Sequence, residues 1–140
     1  MTDPTLGLHV LIGDTLAADP AITAHVAPVN IRAGGIRPEH LPAIVLAPAR
    51  VTVLGRAAGG QIVAELRLFL HLWTPEEASP VAQEVAGAML AALMDAPAAS
   101  GFSIDAWERP ELVWSRDPDP ARAYTKATVA LRAVLRWRAD

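Results

Sequence analysis

The sequence predicts an α+β fold, an antiparallel sheet with long, hairpin-like strands and helices packed on one face. Two stretches of period-two alternation and two proline-led helical stretches carry that expectation. In AYTKATVALRAVLRWRAD, the odd positions are Ala123, Thr125, Ala127, Val129, Leu131, Ala133, Leu135 and Trp137, and the even ones include Lys126, Arg132, Arg136 and Arg138. A strand turns successive side chains to opposite faces, so this pattern makes one apolar face and one cationic face. QIVAELRLFLHLW, Gln61 to Trp73, places Ile62, Ala64, Leu66, Leu68, Leu70 and Leu72 on one side. Its other side carries Gln61, Glu65, Arg67 and His71 mixed with Val63, Phe69 and Trp73. A helix would scatter those leucines and a strand collects them; the two stretches are expected to pair, with Glu65 a cross-strand partner for the arginines.

The other elements follow in chain order. Asp3 and Pro4 form an N-cap and first-turn proline, followed by Leu8, Leu11, Ile12 and Leu16 at helical spacing. Asp19 and Pro20 repeat the signature, so a short helix or turn runs toward His25. Gly34, Gly35, Pro38 and Pro42 predict a loop from Pro28 to Pro42, with a short strand through Val29 to Arg32. Ala43 to Ala47 suits a strand covered on both faces, with Pro48 demanding an edge or bulge. Arg50 to Leu54 is extended, and Gly55, Gly59 and Gly60 make the turn into Gln61. Thr74, Pro75 and Glu77 read as a capping box opening a helix to about Asp95, with Val81, Val85, Met89, Ala92 and Leu93 facing inward. Phe102 to Trp107 and Leu112 to Trp114 are short extended pieces, and Asp117 to Pro120 is a break before the last strand.

The 140 residues suit a single domain, 1–140, able to bury a core without cysteine, of which there is none. The start MTDPTLGLHVLIGDTL has no basic region, and no apolar run approaches the roughly 18 residues of a membrane span, so a soluble protein without a signal peptide is expected. A net charge of −3 is too small to draw nucleic acid to the whole body. Five of the twelve basic residues nevertheless fall between Arg122 and Asp140. That strand could bind nucleic acid with Trp137 stacking on bases, although Trp137 belongs to the apolar alternation. Its arginines beside Phe69 and Trp73 also have the composition of a protein–protein contact.

Catalytic signals are missing from the pattern. His9, His25, His40 and His71 are isolated, with no metal-ligand spacing, and the Gly55 to Gly60 segment lacks the Lys and Ser/Thr of a phosphate loop. Ser79, Ser100, Ser103 and Ser115 have no nucleophile-elbow context. No enzyme activity, cofactor or metal is expected.

The order of elements resembles the tail-terminator, or tail-completion, family of long-tailed bacteriophages and gene transfer agents. The resemblance lies in the early helix ending near Asp19, LPAIVL (Leu41 to Leu46), a long strand closing on HLWT (His71 to Thr74) before an Ala-rich helix, and a final alternating strand ending in RWR. It implies a structural protein that forms a ring, commonly hexameric, capping the tail tube and meeting the head-side connector or stopper while DNA passes through. It also implies assembly in the bacterial cytoplasm and residence at the head-proximal end of the particle's tail. The family supplies no residue motif, so the candidate interface residues rest on exposure and spacing: Glu65, Arg67, Arg37, Trp107, Trp114, Arg132, Arg136 and Arg138. The arginines of the last strand are expected to meet acidic groups of a neighbouring subunit or tube ring, with Ile31 to His40 and Gly101 to Asp119 reaching across as mobile segments. A small ligand-binding or enzymatic α+β domain, and a nucleic-acid module using the basic strand, are the alternatives.

Overall fold

The computed structural model describes residues 4–34, 38–75, 79–116 and 124–138. In chain order these form helix α1 (Pro4–Ala17), the short helix α2 (Pro20–Thr23), a 3-10 turn (Pro28–Asn30) and strands β1 (Ile31–Ala33), β2 (Ala43–Leu46), β3 (Arg50–Ala57) and β4 (Gln61–Pro75). Helix α3 (Ser79–Ala92) and strands β5 (Ser103–Trp107), β6 (Glu111–Arg116) and β7 (Tyr124–Arg138) follow.

The architecture is α+β, as the sequence predicts. Strands β4 and β7 are the antiparallel spine, paired over their full 15 residues from Gln61↔Arg138 to Pro75↔Tyr124. Each is long enough to take two strands on its outer side. β4 pairs with β3 along Gln61 to Arg67 and with β2 along Leu70 to Trp73, while β7 pairs with β5 along Ala133 to Arg136 and with β6 along Thr125 to Ala130. All these pairs are antiparallel, and β1 adds to β2 in parallel.

The register explains the alternation. On one face Ala64↔Leu135, Leu66↔Ala133, Leu70↔Val129 and Leu72↔Ala127 lie opposite each other, large beside small, with Leu68↔Leu131 between them. All are buried and form one core with Leu8, Ile12 and Leu16 of α1, Ile22 of α2, and Val85, Ala86 and Met89 of α3. Each of the larger side chains contributes about 1.5–3 kcal/mol by leaving water. Asp19 caps α2 as expected, its side chain accepting a hydrogen bond from the Ala21 backbone N–H at 2.9 Å. β2 is buried at all four positions.

Several boundaries depart from the sequence reading. Pro48 lies between β2 and β3, outside both, so no strand has to accommodate it. Gly55 is not in the turn; it follows a register shift inside β3, where its φ of 154° suits a glycine in the bulge. Thr74 and Pro75 do not open a helix: they are the last residues of β4, opposite Thr125 and Tyr124, and α3 begins at Ser79. The long pairing with β7 claims the residues that locally spell a cap. Buried positions of α3 are Ala82, Val85, Ala86 and Met89, with Val81 and Ala92 only partly covered. The strand expected at Val29 begins at Ile31, after a 3-10 turn. Gly101 to Asp119 is largely two strands held by β7 rather than a free segment, and its last residues, like the break to Pro120, lie outside the described ones. The first cap residue, Asp3, also lies outside them.

Candidate functional site: the open sheet face and its two edges

The face of β4 and β7 turned from the helices carries Val63, Glu65, Arg67, Phe69, His71 and Trp73 opposite Arg136, Val134, Arg132, Ala130, Thr128 and Lys126. Arg67 and Arg132 stand directly across from each other, an unfavourable placement of like charges. Glu65, two residues along β4, resolves it: Arg67 Nε donates to Oε1 at 2.8 Å and Arg132 Nη2 to Oε2 at 2.5 Å. Those two hydrogen bonds, Arg132's first, hold the Glu65 carboxyl down at about 2, far below its ordinary 4.5. Arg132 also donates to Glu108, and its guanidinium is pushed above its usual range by Glu65 and then Glu108. Arg136 binds Asp105 through Nε at 3.0 Å and Nη2 at 3.2 Å, and Gln61 through Nη1 at 3.0 Å. The Asp105 pairing raises the Arg136 pKa in turn.

The cationic face is therefore met within the subunit. Three arginines, Arg67, Arg132 and Arg136, face three carboxylates, Glu65, Glu108 and Asp105. The pairing with Glu65 is as the sequence suggests; the expectation that Arg132 and Arg136 stay free for a neighbour has to be revised, because β5 and the residues after it bring Asp105 and Glu108 alongside. Arg138 packs against the β3–β4 turn, its Nη2 2.9 Å from where a Cβ on Gly59 would lie. Lys126 stands 5.2 Å above the Trp73 ring, a cation–π contact, and Trp73 is buried while Phe69 is exposed. Phe69 borders a hollow of about 270 Å³ shared with Arg67, Arg109 and Arg132.

The tryptophans divide. Trp107 is a buttress: its Nε1–H donates to the Leu93 carbonyl at 2.9 Å, tying β5 to the end of α3. Trp137 lies in the core and is not available for stacking on a base. Trp114 is 41% exposed on β6. Arg37 lies outside the described residues.

Chemistry finds little purchase here. His71 Nδ1 and Thr128 Oγ1 share a hydrogen bond at 2.9 Å, with no carboxylate on the ring among the described residues. Burial, then the Lys126 charge, lowers the His71 pKa. No group of three or more His, Cys, Asp or Glu able to hold a metal occurs among the described residues, and none of their helices is long and apolar enough to cross a membrane.

What the sequence reading missed is the pair of sheet edges. β3 is exposed along nearly its whole length, with Val51, Val53 and Leu54 44%, 64% and 55% accessible, and across the sheet β6 exposes Val113 and Trp114. The signal was present: RVTVLGRA sets Val51 and Val53 on one parity and adds Leu54 to the other, among Arg50, Thr52 and Arg56, so apolar residues fall on both sides of the strand.

Residues 11–136 match the family model for tail completion protein gp17. The chain belongs to that tail-completion family. Its fold is also that of a chain in the solved structure "Virion of native gene transfer agent (GTA) particle", with a TM-score of 0.70 at 18% identity, covering 93% of this chain and 95% of that one. No curated protein sequence matches it. Membership places the tail-completion chain among structural proteins of phage tails, which suits a molecule whose exposed features are sheet edges and paired charges.

Proposed function

We propose that this tail-completion protein forms a ring, hexameric in the form typical of tail terminators, that caps the tail tube, ends its polymerisation and joins the tail to the head-side connector. Family membership over residues 11–136 carries the reading. The fold shared with a chain of a gene transfer agent virion supports it. Its partners are further copies of itself, the tail tube protein and the connector or stopper, and DNA passes through without being read. It assembles in the bacterial cytoplasm and ends at the head-proximal end of the tail. A closed ring of identical subunits needs heterologous contacts, in which two different patches of one subunit meet. Of the residues named from the sequence, Trp114, Arg138 and Arg67 are the ones whose exposure suits them to such contacts.

The experiment is tube polymerisation. Purified tail tube protein assembled with increasing amounts of this chain, followed by electron microscopy, should give shorter tubes with a ring density at one end. Tubes of unchanged length at every ratio, with no end density, would remove the reading.

A further inference from the structure

Strand β3 buries little of itself within its own subunit. Val51 and Val53 lie opposite Leu66 and Ala64, both fully buried on the helix-covered face of the sheet. The two valines continue that apolar face past the edge of the helical layer, where nothing among the described residues covers them. The outer edge of β3 has no partner strand among those residues. A long exposed apolar edge is a template for pairing, and natural edges are normally blunted by proline or charge along the strand. Here the only charges are Arg50 and Arg56, near the two ends.

The same situation recurs diagonally across the sheet. On β6, Leu112 and Trp114 lie opposite Val129 and Ala127, again on the helix-covered face. Trp114 borders an open depression of about 470 Å³ beside Ser79 at the start of α3. Glu111 at the start of β6 has no ionic partner among the described residues, and neither have Arg50 and Arg56. From Arg50 to Gly60 the chain has two arginines and no acid, whereas on the opposite edge Asp105 and Glu108 are taken by Arg136 and Arg132 and Glu111 is the acid left beside Arg109 and Arg116.

We infer that β3 of one subunit docks on the β6 edge of a second copy, Val51, Val53 and Leu54 packing against Trp114 and Val113, with the arginine at one end of β3, Arg50 or Arg56, near Glu111. Three observations favour a second copy over another protein. Both apolar patches are on this one chain, they lie on opposite edges so that the contact repeats head to tail, and Glu111 on one edge offers a carboxylate to an arginine at an end of β3 on the other. The inference deepens the ring reading and rests on it.

The chain has no cysteine, so crosslinking has no background. Val53→Cys and Trp114→Cys are made singly, their melting compared with wild type, and each is oxidised alone and mixed, while sedimentation of wild type gives the oligomeric state. The expected result is a wild-type oligomer, a disulfide dimer from the mixture and none from either variant alone. Val53→Arg, whose side chain is exposed in the subunit, should leave melting of the dilute protein unchanged and weaken self-association at least about tenfold. A wild-type oligomer without the mixed crosslink, or with Val53→Cys crosslinking to itself, overturns this joint and leaves the ring standing. A wild type that stays monomeric at all concentrations, without the mixed crosslink, overturns both.

Discussion

Glu65 sits where two arginines would otherwise face each other across the central strand pair. It is worth more to the fold as a carboxylate than as an acid, because both its oxygens accept charged hydrogen bonds. With a folded-state pKa of about 2 against an ordinary 4.5, its contribution is complete above 4.5 and is lost as pH falls toward 2. Glu65→Gln should therefore melt at a lower temperature than wild type at pH 7, with the gap closing between pH 4.5 and 2. A gap constant across that window would show that Glu65 acts by shape alone. His71 has the same sign: its pKa is lowered from 6.5, so the neutral ring stabilises the fold above 6.5 and that contribution is lost on acidification. Its titration followed by NMR should have a midpoint below 6.5.

At the scale of elements, β7 and β3 test opposite roles. Leu135 is fully buried, and Leu135→Ala should cost about 2–5 kcal/mol in urea denaturation. Leu131→Asp places an unpaired carboxylate in the core and should abolish cooperative melting. Val53→Ala in the dilute subunit should change stability by no more than about 0.5 kcal/mol, since the side chain is 64% exposed. A large loss there would mean that β3 is packed more tightly than its exposure implies. β4 and β7 were legible in the sequence because period-two alternation over so many residues has no helical equivalent, and α1 because Leu8, Ile12 and Leu16 keep their spacing. The start of α3 was not, because Thr74 and Pro75 satisfy the local grammar of a cap while non-local pairing with Thr125 and Tyr124 holds them in a strand. The neutralisation of the arginine face was hidden for a related reason. Asp105 and Glu108 lie 31 and 24 residues from the arginines they meet, and only the strand order makes them neighbours.

For the whole molecule, the paired charges bear on how the proposed ring would treat DNA. Affinity for duplex DNA comes chiefly from cations that displace condensed counterions, about 0.9 per phosphate neutralised. Here Arg67, Arg132 and Arg136 are bound to Glu65, Glu108 and Asp105, Lys126 lies on Trp73, and the chain's net charge is −3. On the open face of β4 and β7 few cations are left to release counterions, and Trp137 is enclosed in the core. Such behaviour would suit the proposed ring, since each phosphate gripped would be a barrier to the next step of DNA translocation. Binding to a mixed-sequence duplex, followed by fluorescence anisotropy from low to physiological salt, should be weak throughout and change little with salt. Removing the internal acids should reverse this: Asp105→Asn with Glu108→Gln frees Arg136 and part of Arg132, and should raise low-salt affinity and steepen the salt dependence. Tight, steeply salt-dependent binding by the wild type would instead favour the nucleic-acid module, because the arginines would then have to exchange their internal partners for phosphates.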